Sequence, residues 1–73
     1  MAREIIESPM PGKIISINIK VGDAVKAEDE LGVLEAMKME NPIIAPVSGT
    51  VVEIRVAPNQ TVETGQVIAV IEY

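Results

Sequence analysis

LGVLEAMKMENPIIA, residues 31–45, lies near the middle of the 73-residue chain and joins two apolar segments through a short polar tip. The apolar residues of the chain are mostly Ile and Val, and β-branched side chains favour strands over helices. We therefore predict strands at 31–36 and 43–45. Pro42 cannot donate a hydrogen bond to a ladder, so it belongs at the start or the edge of the second strand. The stretch is thus predicted to form a hairpin that presents Lys38 at its tip.

The two halves of the chain resemble each other, and Gly12 and Gly49 mark the offset of 37 positions between them. The same offset aligns Pro9 with Pro46, Ile17 with Ile54, Val25 with Val62, Val33 with Val70 and Glu35 with Glu72. A single half would leave its apolar face exposed, so the two halves should fold as one unit. We predict two similar half-domains related by an approximate two-fold axis.

This repeat makes a geometric prediction about Lys38. The offset relates Lys38 to Met1 and Ala36 to Tyr73. Under a two-fold relation, the Lys38 tip and the two termini should lie at opposite ends of the domain. A lysine far from both termini suits a carrier that is tethered at its ends.

Short strand candidates separated by turn residues fill the rest of the chain, at 14–21, 51–56 and 67–71. Alternation in the first of these predicts one apolar face, made of Ile15, Ile17, Ile19 and Val21. Gly22-Asp23 and 58–60 are predicted turns, and Gly12 and Gly49 are interpreted as turn glycines. Since no window is convincingly helical, we predict an all-β sandwich or barrel.

Composition limits the function. The formal net charge is −5 and Tyr73 is the only aromatic residue, so phosphate neutralisation and base stacking on nucleic acid are disfavoured. The chain contains neither Cys nor His, which excludes thiolate metal sites and histidine general bases. Because no run reaches the length of a membrane helix and 1–4 do not resemble a signal peptide, we expect a cytoplasmic protein without membrane contact of its own.

Lys38 is the candidate functional residue because of its position. An enzyme that modifies one amine must distinguish it from Lys13, Lys20 and Lys26, and a rigid hairpin tip provides that distinction. Met37 and Met39 would add a soft surface that adapts to a partner. The ordinary alternative is a solvated hairpin lysine between two methionines that fill gaps in the core.

Ala36-Met37-Lys38-Met39, between Glu35 and Glu40, resembles the attachment sequence of biotinyl (biotin carboxyl carrier) domains in the biotinyl/lipoyl superfamily. The segments 9–12, 21–25, 45–49 and 64–67 extend the resemblance over nearly the whole chain. It implies that 1–73 is one biotinyl/lipoyl attachment domain. The implied fold is a flattened β-barrel of two four-stranded antiparallel sheets, with Lys38 in the hairpin between the fourth and fifth strands.

The resemblance also implies a mechanism. Lys38 would be biotinylated by a biotin protein ligase through biotinyl-adenylate, with Ala36, Met37 and Met39 completing the attachment motif. The attached biotin would then shuttle carboxyl groups from a biotin carboxylase, or from a donor substrate, to a carboxyltransferase. The domain itself would be a carrier and not an enzyme.

Two other classes remain open. A lipoyl carrier of the same fold is expected to have Asp before the lysine, so Met37 favours biotin, and the third class is an unmodified barrel used as a binding module. Glu35 and Glu40 are interpreted mainly as solvated carboxylates, with ligase recognition as the alternative. No long insertion lies between Lys20 and Val25, so the chain resembles carriers without the protruding thumb found in some acetyl-CoA carboxylases.

Overall fold

The computed structural model describes residues 2–73, and all of its regular elements are strands. They are β1 (Arg3–Glu7), β2 (Gly12–Ile17), β3 (Ala24–Val25), β4 (Glu30–Ala36), β5 (Met39–Ile44), β6 (Gly49–Ile54), β7 (Thr61–Val62) and β8 (Val67–Glu72). They form two four-stranded antiparallel sheets with the orders β1-β8-β6-β3 and β5-β4-β2-β7. The predicted all-β architecture of two four-stranded sheets is confirmed.

The internal repeat explains this topology. Shifting β1, β2, β3 and β4 by the repeat offset lands on β5, β6, β7 and β8, so each sheet is the image of the other. Each sheet takes two strands from each half, which means that neither half can complete a sheet alone. Even the irregularities are repeated, since β2 shifts register between Ile14 and Ser16 and β6 does so between Val51 and Glu53.

The core lies between the two sheets and is made of aliphatic side chains. Ile14, Leu34, Val51 and Ile71 are buried almost completely, and they form two repeat-related pairs. Four consecutive residues of β8 are buried, and that strand lies between β1 and β6 in its sheet. The two sheets therefore hold each other through one continuous apolar layer.

The predicted apolar face of 14–21 is partly wrong. The strand ends at Ile17, the fully buried residue is Ile14, and Val21 is 63% exposed. A bulge between Ile14 and Ser16 inserts one residue, and each such insertion reverses the face that follows. Only Ile17 and Ile19 of the predicted face pack against the core.

The interpretation of Gly12 and Gly49 as turn glycines is also wrong. Each is the first residue of a strand, β2 or β6. A Cβ on Gly12 would collide with the carbonyl oxygen of Glu35, and one on Gly49 would collide with that of Glu72. Both glycines are needed because two strands approach closely.

The turns repeat with their residue types exchanged. Gly22 (φ 99°) corresponds to Asn59 (φ 72°), and Glu28 (φ 75°) corresponds to Gly65 (φ 84°). Positive φ is therefore required at both positions in each half, although only one of them in each half is glycine. Among the described residues, no helix is long or apolar enough to cross a membrane.

Candidate functional site

Lys38 lies in a two-residue turn at the tip of the β4–β5 hairpin. Ala36, the last residue of β4, pairs with Met39, the first residue of β5. Met37 and Lys38 form the turn between them, with φ values of 54° and 63°. Two positive φ values are typical of a type I′ turn, which prefers sequences such as Asn-Gly. The prediction that Lys38 occupies the hairpin between the fourth and fifth strands is confirmed.

This turn holds two side chains in a conformation that L-residues disfavour. Each non-glycine residue with positive φ costs on the order of 1 kcal/mol. Met37 and Lys38 both have such φ values and neither is glycine, asparagine or aspartate. The strands hold the turn in place, since six register pairs join β4 to β5 from Glu30↔Ile44 to Ala36↔Met39.

The methionines beside Lys38 face solvent. Met37 is 85% exposed and Met39 is 65% exposed, whereas Ala36 is buried below them. The alternative in which these methionines fill gaps in the core is therefore wrong. Two large apolar side chains exposed side by side have no packing role within this domain, and such surfaces mark contacts with other molecules.

The Lys38 side chain is not held by polar contacts among the described residues. In residues 2–73, no side-chain hydrogen bond or ion pair involves Lys38. Lys13, Lys20 and Lys26 are exposed as well, so exposure alone does not select Lys38. Lys13 lies within β2, and Lys20 and Lys26 enter turns whose Asp side chains accept their backbone N–H groups. Only Lys38 lies at the apex of a hairpin.

A shallow groove of about 460 Å³ lies beside the tip. It is lined by Pro11, Gly12, Lys13, Glu35, Ala36, Met37, Lys38 and Thr61. Gly12 is one of these lining residues, and a Cβ added to it would come within 3.1 Å of the Cβ of Ala36. The sequence did not predict this role for Gly12, although the recurrence of glycine at both Gly12 and Gly49 was the available signal.

A row of charged side chains crosses the sheet below the tip. Glu35 in β4 lies opposite Glu40 on one side and opposite Lys13 on the other. At the repeat-related position in the other sheet, Arg3 and Glu72 form an ion pair of 3.4 Å. The tip thus replaces an attractive cross-strand pair with two carboxylates, and like charges that face each other across strands are destabilising.

The geometry of the tip suits a group attached through an amide. An exposed primary amine on a rigid turn can accept an acyl group without any rearrangement of the barrel. Within the described residues, no group of three or more His, Cys, Asp or Glu side chains could hold a metal ion. The buried side-chain polar atoms of those residues all have partners. Lys38 is the position that fits a covalently attached cofactor.

The chain is similar in sequence to a known family and to several known proteins. Residues 4–71 match the family described as "Biotin-requiring enzyme". The chain is 47% identical over 64 residues to the biotin carboxyl carrier protein of Streptococcus mutans, which covers 88% of this chain and 49% of that protein. It is 38% identical over 68 residues to the mitochondrial propionyl-CoA carboxylase alpha chain of Homo sapiens, covering 93% of this chain and 9% of the human one.

Solved structures agree with the sequence matches. The urea carboxylase of Kluyveromyces lactis superposes with a TM-score of 0.89 at 35% identity, covering 99% of this chain and 6% of that one. The chain therefore spans about half the length of the Streptococcus mutans protein and less than a tenth of the two carboxylase chains.

Proposed function

Because the chain belongs to the family of biotin-requiring enzymes, as the motif around Lys38 predicted, we propose that it is a biotin carboxyl carrier domain biotinylated on Lys38. The observation that carries the proposal is the free Lys38 amine at the apex of a turn that its own residues disfavour. Its relatives include a biotin carboxyl carrier protein and a propionyl-CoA carboxylase chain, which supports the same function.

The residues of the tip have separate roles in this proposal. The Lys38 amine attacks the acyl carbon of biotinyl-adenylate, so the amide bond forms as the bond to AMP breaks and the amine gives up a proton. One positive charge is thereby removed from a chain whose formal net charge is −5. Biotin supplies the ureido nitrogen that takes up and releases a carboxyl group. Ala36 anchors the turn in the core, and Met37 and Met39 present a soft apolar surface to each enzyme that receives the tip.

The barrel contributes position and not catalysis. The domain measures 36 × 18 × 17 Å. Lys38 lies in the turn of the β4–β5 hairpin, and its four-carbon side chain adds reach. A domain tethered at its termini would keep the attached group at a high effective concentration between two active sites. The proposed partners are a biotin protein ligase, a biotin carboxylase and a carboxyltransferase, and the proposed location is the cytoplasm.

Intact-mass analysis after co-expression with a biotin protein ligase tests the proposal. We expect a mass increase equal to one biotinyl group, which Lys38→Arg abolishes. The matched control is Lys26→Arg, which changes an exposed lysine that does not line the groove beside the tip and should leave labelling complete.

Three outcomes would contradict the proposal. A chain that stays unmodified would favour the unmodified barrel, and labelling that persists in Lys38→Arg would place the modification elsewhere. A lipoyl-sized increase with a lipoyl-attaching enzyme, without labelling by the biotin ligase, would select the lipoyl carrier.

A further inference from the structure

Strand β1 forms an edge of its sheet, and within residues 2–73 it pairs only with β8. Ala2 and Tyr73 exchange two backbone hydrogen bonds, each 2.8 Å long. In an antiparallel ladder, bonding to a given neighbour alternates along the strand. The N–H and C=O groups of Glu4 and Ile6 therefore point toward β8. The N–H and C=O groups of Arg3, Ile5 and Glu7 point away from the sheet.

The repeat-related edge, β5, is blocked against further pairing. Pro42 in β5 corresponds to Ile5 in β1, at the centre of the outward-facing residues. Proline has no N–H to donate, and it is one of the residues that keep sheet edges from pairing with other strands. All three outward-facing residues of β1 carry a backbone N–H donor, whereas the central outward-facing residue of β5 has none.

The side chains of β1 are complementary to a second copy of the same strand. Arg3, Ile5 and Glu7 lie on one face because side chains alternate along a strand, and Ile5 is 54% exposed. The extra residue of the β1–β8 irregularity lies in β8, so β1 itself keeps its alternation. Two antiparallel β1 strands centred on Ile5 place Arg3 of each copy opposite Glu7 of the other. They also place the two Ile5 side chains together.

The equivalent arrangement at β5 has no such complementarity. Centred on Pro42, it would place Glu40 opposite Ile44. Charge complementarity and hydrogen-bonding capacity therefore both favour β1 over β5 as an edge that pairs with another strand.

We propose that β1 is a docking edge for a second copy of this chain. The two sheets join across a two-fold axis into one continuous sheet, in the order β3-β6-β8-β1-β1-β8-β6-β3. Because the two β1 strands are antiparallel, the two Lys38 tips point to opposite ends of the pair and both stay free. The contact involves a single strand from each copy, so the association belongs to the weak and transient class. This inference rests on β1 alone and is independent of the modification of Lys38.

Sedimentation velocity over a concentration series tests the docking edge. We expect the weight-average mass to rise from monomer toward dimer between about 10 μM and about 1 mM, the range of weak association. Ile5→Pro, which gives β1 the residue that β5 has at this position, should keep the chain monomeric across the series. Glu30→Arg is the matched charge control on the other sheet and should leave the association unchanged.

A charge swap provides a test that does not alter the backbone. Glu7→Arg and Arg3→Glu should each weaken self-association at least several-fold, since each places like charges opposite each other. Mixing the two variants should restore association, because Arg at both positions of one chain then faces Glu at both positions of the other. Amide NMR spectra with native dispersion would show that each variant is folded.

The proposal is overturned if the unaltered chain stays monomeric throughout the series. It is also overturned if Ile5→Pro associates as strongly as the unaltered chain, or if the mixed variants fail to associate more strongly than either variant alone. Association lost equally in Glu30→Arg would indicate a general charge effect and would overturn it as well.

Discussion

The two ends of this barrel occupy equivalent places in the fold and differ in almost every other respect. At one end, Ala36 and Met39 are joined by the turn Met37-Lys38. At the other end, Ala2 and Tyr73 form the corresponding backbone pair and the chain is open between them. Met1, the repeat partner of Lys38, lies outside the described residues. Strand β1 starts beside Tyr73 and runs away from it. After β1, the chain reaches Gly12, which lies beside Ala36 at the base of the tip. This path agrees with the predicted placement of the tip and the termini at opposite ends.

The difference shows what the fold requires and what it does not. The open end has a cross-strand ion pair between Arg3 and Glu72. The tip has two facing carboxylates and two residues with unfavourable positive φ. The facing carboxylates are not demanded by the fold, because the repeat-related position in the other sheet carries an attractive pair. We relate them, and the positive φ values of the turn, to the proposed attachment of biotin at the tip.

The largest expected effect comes from the core, where the two halves should behave alike. Leu34 and Ile71 are repeat partners, and both are almost completely buried. Leu34→Ala and Ile71→Ala should each lower the free energy of unfolding by about 2–5 kcal/mol. Chemical denaturation followed by far-UV circular dichroism measures both. A loss confined to one variant would contradict the equivalence of the halves.

A smaller loss of stability is expected when Gly12 or Gly49 is replaced, and the two variants should differ in function. Gly12→Ala and Gly49→Ala each force a Cβ against a backbone carbonyl oxygen, and such overpacking costs about 1–3 kcal/mol. Both should therefore lower the melting temperature. Of the two glycines, only Gly12 lines the groove beside the tip. Gly12→Ala alone should therefore slow biotinylation when the rates are compared at a temperature where both variants are folded. Equal labelling rates would contradict the role of Gly12.

Relaxing the turn should stabilise the tip. Met37→Asn places a residue that tolerates positive φ at the first turn position, and we expect a gain of about 1 kcal/mol. Glu28→Gly relaxes the same kind of φ at a distant turn and serves as the control, with a gain of up to about 1 kcal/mol. Thermal unfolding measures both gains. Labelling by the ligase should slow in Met37→Asn and stay unchanged in Glu28→Gly.

The smallest expected effect is electrostatic. Glu40→Arg copies at the tip the ion pair that Arg3 and Glu72 form at the open end. We expect a gain of a few tenths of a kcal/mol, the usual magnitude for an exposed pair. The gain should disappear in 1 M salt, where the Debye length falls to about 3 Å. A gain that persists in high salt would contradict an electrostatic origin.

The repeat predicted that two similar halves fold as one unit, and the resemblance around Lys38 implied the two four-stranded sheets and the family. Strands β1, β3 and β7 were not among the strands predicted from the residues. The bulge in β2 could not be predicted from the alternation of Ile15 and Ile17. An inserted residue reverses which side chains face the core, but it leaves no mark in the residue types. The roles of Gly12 and Gly49 depend on carbonyl oxygens from distant strands, which a local pattern does not include.

The φ values of the turn were likewise not predictable, because Met37 and Lys38 are not residues that favour a type I′ turn. The hairpin is specified by the two strands, and the turn adopts the conformation that their pairing allows. A site whose residues contradict the local preference is where sequence rules are expected to fail, and it coincides here with the candidate functional residue.

The most direct test of the account is to locate the modification among the lysines. The labelled chain would be digested and sequenced by tandem mass spectrometry after co-expression with a biotin protein ligase. We predict that the biotinyl group is found on Lys38 alone, with Lys13, Lys20 and Lys26 unmodified. A biotinyl group on any of those three lysines, or none on Lys38, would contradict the claim that the strained turn exists to present this one amine.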